Sequence, residues 1–413
     1  MNNKIVGLGM LLASGGLVLA VPSYAKAPKA QAAEAAKPQF NISSEARKAI
    51  VDLQTAVNAK DTANIPAKVA EAEAKAKTGD DKYIIAQLRL KAAADSNDVP
   101  AAAQAIEAIL ASGVTPEADK IKYYNNLGQI HYAAKAYDKA SSALQQVLQR
   151  DPNNLEATVM LAESRGALGQ TAEAITLVQK AIALKLASGQ KPEENWYKRV
   201  LSFAFNAKLP NSTALARDWV AAYPSPTSWR DTIRIYQSVS RLDDASMIDS
   251  MRLARVVGAL TSENDYFRIA NLLINKGYAG EAKAVLEEGF AASKINKSAS
   301  PFNQLYPLAT SKSQGDRASL AASGKAAMAG TDAKKVMVIA DAYYGYGDYA
   351  QAAELYRAAL GKAGVDKDLA NLRLGMTLAR SGDKAGATAA LNAAGGAQAE
   401  VAKLWLTYLA TKA

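Results

Sequence analysis

No stretch of this chain shows the strict alternation of apolar and polar residues that marks a half-buried strand. Small and bulky apolar residues return instead at helical spacing, and the segments they define come in pairs. Residues 44–77 and 80–113 each read as a helix pair joined by a short turn. The next segment is the most regular. Tyr124, Leu127, Gly128, Ala140, Leu144, Val147 and Pro152 occupy positions 4, 7, 8, 20, 24, 27 and 32 of a 34-residue unit. Leu161, Ala162, Ala174, Val178 and Ala181 then stand 34 residues after their counterparts. Small residues at positions 8, 20 and 27 let two antiparallel helices approach closely, and bulky ones at 4, 7, 11 and 24 fill the space between them.

The grammar returns further along. Tyr266, Ile269, Ala270, Leu273, Ala282, Leu286 and Gly289 make one copy. Val336, Ile339, Ala340, Tyr343, Tyr349, Ala352, Tyr356 and Ala359 make another, and Leu374, Gly375, Leu378, Ala387, Leu391 and Ala394 a third. Trp196 with Pro224, and Trp229 with Ile233 and Tyr236, mark two divergent units; the spacing leaves room for a degenerate copy around Leu305. Punctuation agrees: Thr115-Pro116, Ser225-Pro226 and Ser300-Pro301 each place a hydroxyl before a proline suited to a first helical turn. Gly347-Asp348 and Gly382-Asp383 fall where hairpins turn.

This arrangement resembles the tetratricopeptide repeat, with its W-x2-L-G-x2-Y, A-x3-F and P signature. The resemblance covers most of residues 115–397. It implies an all-α fold, a right-handed superhelical solenoid of antiparallel helix pairs with roughly ten hairpins. Divergent hairpins over 43–114 precede the array, and residues 398–413 form an unpaired C-terminal capping helix. The resemblance also implies that ligands lie in a concave groove lined by the first helix of each pair. On that basis the groove presents Lys122, Asn125, Gln129 and Tyr132 in the best repeat, with Ala133 leaving space. Asn264, Phe267, Asn271 and Asn275 follow in a later copy, then Lys334, Asp341 and Tyr344, and finally Arg380. Amide, aromatic and isolated basic groups suit an extended peptide or a glycan, although the same residues also suit a plain solvated face. One subclass of the family clamps C-terminal carboxylates with Lys and Asn at positions 5 and 9, then Asn at position 6 of the next repeat. Here those places hold Asn125, Gln129 and Met160, so that clamp is absent.

The first residues carry an address. Lys4, an apolar stretch from Ile5 to Val21, and small residues at Ser23 and Ala25 make the layout of a secretory signal over residues 1–25. An uncleaved N-terminal anchor is the alternative. Residues 26–42, rich in Ala, Lys and Pro, read as a flexible linker. The expected location is therefore outside the cytoplasm, in a Gram-negative periplasm, with secretion or anchoring as alternatives.

Composition narrows the chemistry. Cysteine is absent and His131 is the one histidine, which leaves no disulfide, thiolate nucleophile or transition-metal cluster. His131 sits at position 11 of the best repeat, a packing position. Gly345-Tyr346-Gly347-Asp348-Tyr349-Ala350 spells a dinucleotide-binding motif, but a repeat helix precedes it where a strand is required. Ser188-x-x-Lys191, Ser381-x-x-Lys384 and Lys77-Thr78-Gly79 imitate the motifs of penicillin-binding enzymes, in the wrong order and at helix ends. No cofactor is implied and no enzyme activity is expected. Net charge is +10, with basic and acidic residues interspersed. The arginines from Arg230 to Arg255 are largely offset by Asp231, Asp243, Asp244 and Asp249, and a nucleic-acid partner is not indicated. Tyr344 and Tyr346 read as free to stack on a sugar or a partner's side chain. The expected function is a periplasmic scaffold holding protein partners in its groove. The alternative is a binder of acidic envelope polysaccharide or peptidoglycan, accessory to polysaccharide synthesis or export.

Overall fold

The computed structural model describes residues 40–412, so the expected signal segment and nearly all of the expected linker lie outside the described residues. Helix follows helix in consecutive antiparallel pairs, with no strand among the described residues. The chain divides between Pro192 and Glu193 into two compact units, so the array expected over 115–397 is shared between them.

The first unit holds four pairs: α1 (Ser44–Asn58) with α2 (Ile65–Lys75), α3 (Gly79–Asp95) with α4 (Val99–Ala111), α5 (Glu117–Ala133) with α6 (Tyr137–Arg150), and α7 (Leu155–Ala167) with α8 (Thr171–Ala187). Position 8 explains the tight approach within a pair. A β-carbon on Gly128 would stand 2.6 Å from Leu144 Cδ2, so only glycine lets α5 and α6 come this close. Ala140, Leu144 and Val147 are fully buried opposite it. The chain before α1 is fixed by two carboxylates, the first being Asp80, which accepts from the Asn41 N–H at 2.7 Å. Asp81 accepts from the Ser43 N–H at 2.8 Å and the Ser43 hydroxyl at 2.7 Å, while also capping α3 through the Lys77 and Thr78 N–H groups. Phe40 stacks on Tyr83 at 4.5 Å between centroids, so residues 40–42, placed in the linker by composition, are packed.

The second unit opens with α9 (Glu194–Asn206) and α10 (Ser212–Ala222), then α11 (Pro226–Val239) with α12 (Asp244–Val256), and α13 (Glu263–Asn275) with α14 (Ala279–Ala291). A single helix of 28 residues, α15 (Phe302–Ala329), stands where a degenerate hairpin was expected around Leu305. The pairs α16 (Ala333–Gly345) with α17 (Tyr349–Leu360) and α18 (Lys367–Ser381) with α19 (Lys384–Asn392) follow, then α20 (Ala399–Thr411). Nine pairs and two single helices thus stand among the described residues, close to the ten hairpins expected.

The last helix has no hairpin partner, as expected, but it does more than close the end of the array. It packs on α19 and α18 and also on α10 and α12, early in the same unit. Val401, Leu404 and Trp405 are fully buried there, and Arg217 on α10 meets Glu400 at 2.9 Å. α18 is consequently buried on all sides from Leu372 to Ala379. Helix starts agree with the sequence at Ser225, whose hydroxyl caps α11, but not at the other two hydroxyl-proline steps. Thr115 instead donates to the Ile109 carbonyl at 2.6 Å, closing α4, and the residue preceding α15 is Pro301.

Candidate functional site

Lys122, Asn125, Gln129 and Tyr132 are spaced by three or four residues on α5 and therefore share one face of it. The opposite stripe of the helix, with Leu127, Gly128 and His131, is buried. Gln129 reaches across to α7, its amide donating to Glu156 at 2.8 Å. Tyr132 is half-buried and meets Tyr137 edge-on at 5.7 Å, while Lys122 and Ala133 are exposed. On the side of α3, Gln87 donates to Tyr83 at 2.7 Å and to Tyr123 at 3.0 Å. Burial pushes both phenols up from their ordinary range, so they remain neutral donors and acceptors.

Two polar atoms of the same helix are not satisfied. Asn125 Oδ1 and Asn126 Nδ2 are shielded from solvent and make no hydrogen bond within the protein. Both residues are otherwise half-exposed. An unmet polar atom of this kind costs about 1–3 kcal/mol. A main chain laid along the half-exposed face would present N–H and C=O groups in alternation, which suit amide side chains that both donate and accept.

The remaining expected groove residues lie in the second unit and are not gathered into one site. Asn264 and Asn275 are exposed on α13, with Phe267 and Asn271 half-buried between them. Phe267 packs against the hydrophobic core. Lys334 is exposed at the start of α16. Arg380 is exposed, donates to the Tyr349 hydroxyl at 2.9 Å and lies over its ring.

Asp341 and Tyr344 correct the sequence reading: both are buried, at 1% and 5% exposure, and cannot line an open groove. Asp341 accepts from Arg373 at 2.6 Å, from Tyr356 at 2.6 Å and from Tyr278 at 2.9 Å. Arg373 also reaches Asp249 at 3.2 Å. Arg252 donates to Asp249 at 2.9 Å and to Glu281 at 2.6 Å, with the Tyr344 ring 4.6 Å from its guanidinium carbon. Three carboxylates and two guanidiniums from α12, α14, α16 and α18 are thus enclosed together. Burial pushes Asp249 up against the pull of Arg373 and Arg252. Burial alone would lower Arg252, but Glu281 and Asp249 hold it well above its usual range, fixing its charge. Tyr346 is also committed: it packs over Gly280, donates to the Ser313 carbonyl at 2.9 Å and lies beneath Arg317.

Position within the repeat identifies a face, and this one faces the protein's own helices rather than solvent. Sequence reasoning missed Arg252, Glu281 and Arg373. A signal existed, since Arg373 stands among Leu372, Leu374 and Met376 in a helix apolar on every side, which leaves a charge no solvated face.

The mimicked motifs fall where helices end. The Gly345–Ala350 stretch closes α16, turns, and opens α17. Thr78 caps α3 and Ser188 ends α8. His131 is buried in the repeat with its Nε2 at 3.7 Å from Glu107. Desolvation lowers its pKa despite that carboxylate. Among the described residues no group of three or more His, Cys, Asp or Glu is placed to hold a metal ion, and no helix is long and apolar enough to cross a membrane.

Comparison with known proteins bears on the repeats. Residues 131–186 match one tetratricopeptide-repeat family model, and residues 88–154 and 337–400 match another. The stretch 88–154 begins inside α3, so the match extends upstream of residue 115. No curated protein matches the chain. Among solved structures, the chain is similar to the MamA protein (15% identity over 59% of this chain and 91% of that one, TM-score 0.21). It is also similar to pilF of Pseudomonas aeruginosa (16%, over 55% and 90%, TM-score 0.25) and to the TPR domain of P58(IPK) (13%, over 83% and 99%, TM-score 0.25). At these scores the likeness adds no argument to the one the helix pairs make.

Proposed function

We propose that this chain, built of tetratricopeptide repeats over residues 88–186 and 337–400, is an exported, non-catalytic scaffold whose first unit holds an extended peptide segment of a protein partner. Such repeats are generally protein-interaction modules, and a stacked row of helices offers a long surface to an extended ligand. The observation that carries the reading is the face of α5, which sets the amides of Asn125 and Gln129 in one row with Lys122 and Tyr132. A peptide main chain laid along that row would donate to and accept from its amides. Support for export comes from the sequence alone, in the basic, apolar and small-residue order of residues 1–25.

Capture from an envelope extract tests the reading, with the intact chain as bait and washes at low and then high salt. Partners held by amide hydrogen bonds and apolar contact survive high salt, because screening acts on exposed charge. The expected result is a discrete set of proteins that remains through the high-salt wash and is lost when Asn125, Gln129 and Tyr132 are all replaced by alanine. Retention of the same set by that triple variant would remove the α5 face from the account.

A further inference from the structure

The second unit carries a cleft of its own, of about 320 Å³, between α11 and α13 where they cross α12. Two guanidiniums line it. Arg234 is held loosely, 3.3 Å from Asp265, with 53% of its side chain exposed. That carboxylate is already engaged in closing the turn before α13. Its Oδ2 accepts from the Thr261 and Ser262 N–H groups and from the Ser262 hydroxyl. Arg268 has no carboxylate within ion-pair distance among the described residues, and its guanidinium contacts the Met247 sulfur at 3.9 Å. The cleft therefore holds an uncompensated positive charge beside a second, weakly engaged one.

Gln237, Ser238 and Asn264 complete the lining, and they decide what kind of anion suits it. The Ser238 hydroxyl donates to the Ile235 carbonyl at 2.9 Å and so offers an acceptor, while the amides of Gln237 and Asn264 can donate and accept; together they match the hydroxyl groups of a ring. Gln237 already donates to Ser250 at 2.9 Å, which fixes its amide and turns it into a positioned acceptor and donor at the rim. Met247 is the one apolar residue among those lining the cleft, which favours a polar ring over a large apolar side chain. Guanidiniums pair with carboxylates in a planar, two-bonded geometry. From this combination we propose that the cleft binds the carboxylate of a sugar acid, with Arg268 and Arg234 on the carboxylate and the amides and hydroxyl on the ring. Its volume accommodates a single six-membered ring. The inference is independent of the peptide face on α5, and either can fail without the other.

Titration of the full chain with D-galacturonate and with its trimer, at low salt, tests it. Binding of either is expected, with none by neutral D-galactose at the same concentration. Arg268→Ala should weaken binding at least tenfold with an unchanged helical circular dichroism spectrum, and Arg268→Lys should weaken it less. Asn125→Ala should leave it unaltered. Tighter binding of the trimer would mark a polymer as the source, and equal binding a free monomer. N-acetyl-dialanine, which carries the same charge on a peptide terminus, should bind at least tenfold more weakly. Failure of both sugar acids to bind, indifference to Arg268→Ala, or equal binding of the dipeptide would each overturn the proposal.

Discussion

Gly128 and Leu144 touch so closely that a β-carbon on the glycine would stand 2.6 Å from the leucine Cδ2; Gly375 meets Leu391 in the same way, at 2.5 Å and at the same sequence spacing. The two contacts lie in different units, and each sets the distance between the helices of its pair. Gly315 differs, since its added β-carbon would find no neighbour within 4 Å. Alanine gains roughly 1 kcal/mol over glycine inside a helix, but overpacking a filled core costs about 1–3 kcal/mol. Leu144 is fully buried and has no space to yield. Gly128→Ala should therefore lower stability by up to about 2 kcal/mol, whereas Gly315→Ala should raise it by up to about 1 kcal/mol. Urea denaturation followed by circular dichroism measures both.

Arg373 lies between Asp249 and Asp341, all three with 5% of the side chain exposed or less. Removing one partner of a buried ion pair leaves a charge uncompensated and costs about 3–5 kcal/mol. Arg373→Met should destabilise the second unit by that amount. Arg380→Met, in the same helix but exposed and engaged only with Tyr349, should cost less than about 1 kcal/mol. Comparable losses from the two substitutions, in thermal unfolding, would contradict the enclosed network.

Asp81 is fully buried. Burial pushes its pKa up, but the hydrogen bonds from Lys77, Ser43 and Thr78 outweigh this and bring it down to about 2. A carboxyl held below its unfolded value contributes stability that is present above that value, near pH 4, and is lost as pH falls toward the folded one. The contribution is about 2 kcal/mol at neutral pH. Asp81→Asn should lower stability by about that much at pH 7 and by progressively less from pH 4 down to pH 2. Parallel pH–stability curves for the two proteins across that interval would refute the assignment.

Trp405 of α20 is fully buried, in a unit where Arg217 and Glu400 also tie α20 to α10. A terminal helix packed on only one neighbour would lose little on truncation of its tryptophan. Here Trp405→Ala should cost about 3–5 kcal/mol, the usual range for an aromatic residue removed from a core. Hydrogen exchange should report the loss in α10 and α18 as well as in α20.

How far the sequence foretold this structure follows from the distance over which each feature is determined. The α5–α6 and α18–α19 contacts join residues within one repeat, so the 34-residue pattern carries them. α15 was not legible, because a degenerate copy around Leu305 leaves the spacing intact while its turn signals are gone. Nor was the packing of α20 on α10, since Glu400 and Arg217 belong to helices that no local period relates. Asp341 and Tyr344 show the same limit at the level of the site. Their repeat positions specify a face of α16, but Arg252 and Arg373, on other helices, decide whether that face meets solvent. The face of α5 was legible residue by residue; the unmet amides of Asn125 and Asn126 were not, because satisfaction of a hydrogen bond depends on neighbours in space.

The claim that a partner's main chain lies along α5 is tested most directly by site-specific photocrosslinking in native cells. A photoreactive residue would replace Gln129 on that face or, as the control, the exposed Ser142 of α6. The account predicts discrete protein adducts at position 129, mapping to one short segment of the partner, and none of them at position 142. Identical adducts at both positions, or none at position 129, would contradict it.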